Sequence, residues 1–79
     1  MKLTVSTPLK TLFEGEVYSV QCPSKEGLFQ ILENHAPMIA ILIKGRVKYE
    51  VSKGATPQFI EINSGVLQVA DNVVTILSE

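Results

Sequence analysis

Seventy-nine residues leave room for one domain, and a hydrophobic fraction of 46% sets the chain apart from disordered sequences. Seven basic and eight acidic residues give a net charge of −1, which excludes a general binder of nucleic acid or anionic membrane, since either needs a strongly basic balance. One cysteine, Cys22, excludes an internal disulfide and fits a reducing compartment.

The chain is rich in Val, Ile, Thr, Phe and Tyr, with turn residues at short intervals, and this predicts strands from end to end. Leu3-Thr4-Val5-Ser6-Thr7 alternates as a strand does and a signal peptide does not. Pro8 stops it, having no N–H for a ladder. Gly15 opens a second strand over residues 16–22, with Tyr18, Val20 and Cys22 on one face. Pro23-Ser24-Lys25-Glu26-Gly27 is a turn, residues 28–32 form a short strand, and Glu33-Asn34-His35-Ala36-Pro37 is a corner. Met38-Ile39-Ala40-Ile41-Leu42-Ile43 is apolar throughout, which predicts a core strand covered on both sides; left partly exposed, it would mark an interface. A membrane-spanning helix needs about 20 such residues, so this run inserts into no bilayer and any membrane association comes through a protein partner.

The cleanest alternation follows Gly45. Val47, Tyr49 and Val51 point one way, and Arg46, Lys48, Glu50 and Ser52 the other. Lys53-Gly54-Ala55-Thr56-Pro57 is a hairpin loop. Strands follow over residues 59–62 and 66–70, separated by Asn63-Ser64-Gly65. Asp71-Asn72 is a tight turn, because both residue types tolerate positive φ, and residues 73–77 form the closing strand. No segment sustains an apolar period of 3.6, and there is no repeat, linker or low-complexity stretch. The fold class is all-β, a sandwich or flattened barrel over residues 1–79.

Little in the chain suits catalysis. With one His, one Cys and one Asp there is no triad, no general-base pair and no metal-ligand cluster. The five glycines form no phosphate-binding loop, so no cofactor is expected. His35 reads first as a turn or capping residue and second as an interface contact. Cys22 reads as a small buried hydrophobe. Lys44, Arg46 and Lys48 form a basic stripe, most simply a solvated face, and Glu14 and Glu16 are surface carboxylates. Phe13, Tyr18, Phe29, Tyr49 and Phe59 fall at apolar positions and read as core, not as platforms for stacked bases. An alternative is a free-standing β-sandwich binding or carrier module. Lys53 is the only candidate carrier lysine, and it lacks apolar flanks.

Four segments together resemble the epsilon subunit of F-type ATP synthases: Leu12-Phe13-Glu14-Gly15-Glu16-Val17, then Cys22 through the Glu26-Gly27 turn to Asn34-His35-Ala36-Pro37, then Ile62-Asn63-Ser64-Gly65-Val66-Leu67-Gln68-Val69, and finally Asp71-Asn72-Val73-Val74-Thr75-Ile76-Leu77. The resemblance implies an amino-terminal sandwich of two five-stranded sheets, about ten short strands. It implies a non-catalytic rotor part that binds the gamma subunit on one side and the loops of the membrane c-ring on the other, coupling proton flow to ATP synthesis at the cytoplasmic face of a bacterial membrane. Carried over by position, Lys25, Glu26, Gly27 and Leu28 face the c-ring, and Thr7 and His35 lie toward gamma. Three residues depart from the family pattern. Leu28 stands where a polar or acidic residue is usual, Gln30 where Gly is usual, and Glu33 where Pro is usual. The resemblance also implies a carboxy-terminal helical hairpin in most members, the element of ATPase self-inhibition. Here the sequence stops at Ser78-Glu79, so no helical domain and no hairpin-mediated inhibition are expected.

Overall fold

Strands that alternate must bury one face, and two sheets here bury theirs against each other. The computed structural model describes all 79 residues and contains no helix. Its nine strands are β1 (Lys2–Ser6), β2 (Thr11–Glu16), β3 (Ser19–Ser24), β4 (Gly27–Leu32), β5 (Met38–Leu42), β6 (Gly45–Glu50), β7 (Gln58–Ile62), β8 (Gly65–Ala70) and β9 (Val73–Ser78). One sheet runs β2-β1-β9-β8-β5 and the other β4-β3-β6-β7. A single residue pair, Ser24 with Leu42, joins them, so the hydrogen-bonded ladder continues around a sandwich that is nearly a barrel. The β1–β9 pairing is parallel and every other pairing is antiparallel.

The inner faces follow from the registers. Leu3, Val5, Val74, Ile76, Leu67, Val69 and Leu42 point inward from the first sheet, and Val20, Cys22, Ile31, Val47 and Ile62 from the second. Phe13 of β2 meets Tyr49 of β6 across the core, with ring centroids 4.3 Å apart. Phe13, Phe29 and Tyr49 thus join the core, whereas Tyr18 and Phe59 are exposed.

Several predicted elements shift. The sandwich has five strands and four, one fewer than about ten. The strand expected over residues 16–22 is β3 begun too early, and β2 lies almost wholly outside the predicted strands. β2 ends at Glu16 and β3 starts at Ser19. Between them the Val17 N–H donates to the Met1 carbonyl (2.8 Å) and the Tyr18 N–H to the Glu50 carbonyl (2.7 Å). The chain passes its hydrogen bonds from one sheet to the other there, so it has to bend, and Tyr18 leaves the face shared by Val20 and Cys22. Pro23 and Ser24 extend β3 instead of starting the turn, because the Pro23 carbonyl accepts from Ile43 N–H (3.1 Å) and only Lys25 and Glu26 are needed to reverse the chain. The first strand spans Lys2–Ser6, one residue earlier than expected. Lys44 lies in a bend before β6, and Val51 lies beyond its end and is exposed, so neither belongs to the strand face assigned to it.

The largest difference concerns β5. Only its inner face is covered. Leu42 is buried and Met38 and Ala40 partly so, while Ile39 is 73% and Ile41 69% exposed. β5 belongs to a sheet with nothing packed on its outer side, so an apolar run produced one buried and one bare face.

The Asp71-Asn72 turn matches its prediction. Both residues have positive φ (51° and 60°), the conformation a two-residue hairpin requires. Gly65 is required for a different reason. A Cβ there would lie 2.8 Å from the Leu77 carbonyl oxygen, a backbone atom held in the β8–β9 ladder. Gly65→Ala should therefore cost about 1–3 kcal/mol, seen as a lower urea midpoint at constant slope. An unchanged midpoint would mean that this end of the ladder opens freely.

Candidate functional site

The outer face of the first sheet is built from cross-strand rows. Ile41 of β5 stands opposite Val66 of β8, which stands opposite Leu77 of β9. Ile39, Gln68 and Thr75 form the next row. All four apolar members are exposed, Val66 least at 43%, and neither row contains a charge. Pro8 closes one end of the face, beside Ile41, Val66 and Leu77. Pro37 closes the other, beside Ile39. Isolated exposed apolar residues are ordinary, but contiguous rows of them mark an interface.

The outer face of the second sheet differs. It carries Arg46, Lys48, Glu50 and Glu61, with the Arg46 guanidinium 4.3 Å from the centre of the Phe59 ring. These charges hydrate readily, and the Arg46 contact covers part of the Phe59 ring.

The β3–β4 turn stands at one end of the sandwich. The Ser24 hydroxyl donates to the Gly27 carbonyl (2.8 Å) and accepts from the Glu26 N–H (3.3 Å). Gly27 has φ 117°, a conformation that disfavours a side chain. Lys25, Glu26, Gly27 and Leu28 are all exposed. They line a groove of about 670 Å³ together with His35 and Met38. The structure thus brings His35 beside the turn.

Thr7 is elsewhere. Its hydroxyl accepts from the N–H groups of Leu9 and Lys10 (both 3.2 Å), shaping the β1–β2 connection. It borders a separate hollow of about 400 Å³ lined by Lys44, Arg46 and Glu61. Thr7 precedes Pro8 and His35 lies two residues before Pro37, so each is near in sequence to one end of the apolar face, although neither lines the hollow there.

His35 shows the turn role directly. Its Nδ1, when protonated, donates to the Ala36 carbonyl at 2.7 Å. The preceding Asn34 has φ 61°, and its N–H donates to the Asn72 side-chain oxygen at 2.8 Å, tying the corner to the β8–β9 turn. No carboxylate orients the ring. Glu33 instead lies 3.2 Å from the Met1 ammonium. Glu14 is a surface carboxylate as expected, 3.2 Å from Lys2 Nζ, and Glu16 is exposed beside Met1. No group of three His, Cys, Asp or Glu residues converges on a metal-sized site.

Cys22 is fully buried, and desolvation pushes its thiol up from 9.0 to about 12. The folded protein holds that proton more tightly than the unfolded chain. The resulting stability is complete below pH 9 and is lost as pH rises toward 12. The folded chain should also resist alkylation at pH 8, with labelling only on unfolding; rapid labelling of the native chain would contradict the burial.

Sequence reasoning expected Ile39 and Ile41 to be covered, with exposure only as the alternative, and did not single out Val66 or Leu77 as surface residues. Their only signal is alternation with Ala40, Leu42, Leu67 and Ile76, and apolar residues on both faces make that signal invisible.

Comparison with known proteins agrees with this architecture. Residues 1–79 match the family model described as the ATP synthase delta/epsilon chain, beta-sandwich domain. The chain is 41% identical to the ATP synthase epsilon chain of Chlorobium limicola, covering 99% of this sequence and 88% of that protein. It is 40% identical to the epsilon chain of Leptospira borgpetersenii, covering all of this sequence but 61% of that protein. In fold it is similar to a chain of the Euglena gracilis mitochondrial ATP synthase (OSCP/F1/c-ring), with a TM-score of 0.87 and 24% identity over 96% of this chain and 48% of that one. It is also similar to one in the central stalk/c-ring of the Tetrahymena thermophila mitochondrial ATP synthase, with a TM-score of 0.79 and 21% identity over 99% of this chain and 62% of that one.

Proposed function

The chain belongs to the ATP synthase delta/epsilon-chain family, as its beta-sandwich domain, and from that premise we propose that it is a non-catalytic rotor subunit of a bacterial ATP synthase. It binds gamma and the c-ring and couples proton translocation to ATP synthesis. It works at the cytoplasmic face of the inner membrane, held there by its protein partners.

The bare apolar face of the first sheet carries this reading. Ile39, Ile41, Val66 and Leu77 need a partner surface, and a gamma subunit docked there would have Thr7 near one rim and His35 near the other. The turn of Lys25, Glu26, Gly27 and Leu28 projects at the end of the sandwich beside His35, where it would meet the c-ring loops. Leu28, 65% exposed, would make that contact apolar where the family usually presents a polar side chain. A two-sheet sandwich with a packed interior transmits torque between such contacts with little compliance.

The test is a titration of the chain against purified gamma, with Thr7→Arg and His35→Glu alongside. One-to-one binding, weakened by either variant, is the expected result. Absence of binding by the folded chain would contradict the rotor reading. These 79 residues hold no helix, so adding them to the catalytic complex should not produce inhibition that ATP relieves.

A further inference from the structure

Four strands end the two sheets: β5 is joined to β3 at Leu42, and two of the other three are guarded. β2 carries Glu14 and Glu16, and β7 carries Glu61. β4 pairs with β3 on one side only, and its sequence, Gly-Leu-Phe-Gln-Ile-Leu, has neither a charge nor a proline. Those are the usual devices by which an edge strand repels a second strand.

Pro23 reveals which backbone groups face the open side. It has no N–H, and its carbonyl accepts from Ile43 N–H, across the edge of β3 remote from β4. Leu28, opposite Pro23, is therefore in a non-hydrogen-bonded pair, and such pairs alternate along an antiparallel ladder. Leu28, Gln30 and Leu32 accordingly turn their N–H and C=O groups toward the open edge. Their side chains share the outer face, with Leu28 65% and Leu32 43% exposed.

We propose that this edge pairs with the same edge of a second copy of the chain, antiparallel about a twofold axis at Gln30. The strand is self-complementary under that operation. Gln30 faces Gln30 of the second copy, and Leu28 faces Leu32 at both ends. The three facing pairs supply about six hydrogen bonds between the copies. Each exposed leucine gains an apolar cross-strand neighbour, and two uncharged amides meet at the axis. Centring the pair on Phe29 or Ile31 sets a leucine against glutamine and leaves another leucine uncovered, so one register is preferred. The inference does not depend on the rotor reading. One consequence does: Phe29 and Gln30 also line the groove beside the Lys25 turn, so a second copy competes there with a c-ring loop.

Sedimentation of the free chain from micromolar to near-millimolar concentration tests the pairing. A reversible dimer is expected, weakened more than about tenfold by Gln30→Glu or Gln30→Lys, because each variant sets like charges face to face. Mixing the two variants should restore association. Amide exchange gives a readout on the unmodified chain: protection should rise with concentration at Leu28, Gln30 and Leu32 but not at Phe29 or Ile31, which already bond to β3. A chain that stays monomeric would overturn the proposal and leave the edge to a strand of another protein. A dimer indifferent to charge at position 30 would also overturn it, and would direct attention to the Ile41 face.

Discussion

Ile41→Glu should weaken binding to gamma by about 30- to 1,000-fold while leaving the fold intact. Ile41 is 69% exposed at the β5 end of the uncharged Ile41–Val66–Leu77 row, so in the free chain a glutamate there stays hydrated. In the complex the carboxylate has to be stripped of water against an apolar partner that offers it nothing, and unpaired burial of a charge is strongly unfavourable. Lys48→Glu, on the charged outer face of the second sheet, is the matched control and should change affinity only slightly. Thermal melting of both variants separates folding from docking. If Ile41→Glu binds as well as the unmodified chain, the outer face of the first sheet is not where gamma sits.

Leu67→Ala should cost about 2–5 kcal/mol of stability. A domain of 79 residues is expected to hold roughly 4–12 kcal/mol in total, so a large part of its margin goes with one side chain. Leu67 is completely buried in the middle strand row of the first sheet, between Ala40 of β5 and Ile76 of β9. Ala40 is too small to fill the space left behind. Val66→Ala, one residue away, removes a side chain that is 43% exposed and should cost well under half as much. Urea unfolding of the pair reads the two faces of β8 directly. Equal losses would mean that the inner and outer faces have been assigned the wrong way round.

These two variants also mark the boundary between what could be read from sequence and what could not. Strand identity was legible wherever polar and apolar residues alternate, as in Arg46-Val47-Lys48-Tyr49, because the period of two states both the strand and its buried side. The Asp71-Asn72 reversal was legible because few residue types accept positive φ at two successive positions. β2 was missed, since Thr11-Leu12-Phe13-Glu14-Gly15 has no clean alternation, and β3 was started too early because Val17 and Tyr18 have strand-like side chains. What bends the chain there is a pair of backbone hydrogen bonds to Met1 and Glu50, and backbone partners far along the chain leave no trace in local sequence.

The candidate site divides in the same way. Composition marked a turn at Pro23–Gly27 and a corner at Glu33–Pro37, but only the family resemblance singled out Lys25–Leu28 and His35 as site residues. That the turn and His35 border one groove, and that Thr7 borders a separate one, depended on how the strands are set across the sandwich.

The sequence by itself thus determined the all-β class, the family and most strand positions, since these rest on local period, turn chemistry and motif order. Tertiary structure alone decided which side of β5 meets water and which edge remains open. A residue such as Ile41 has the same intrinsic preference for burial as Leu42, and only the presence or absence of a second layer over the sheet separates a core residue from a docking surface.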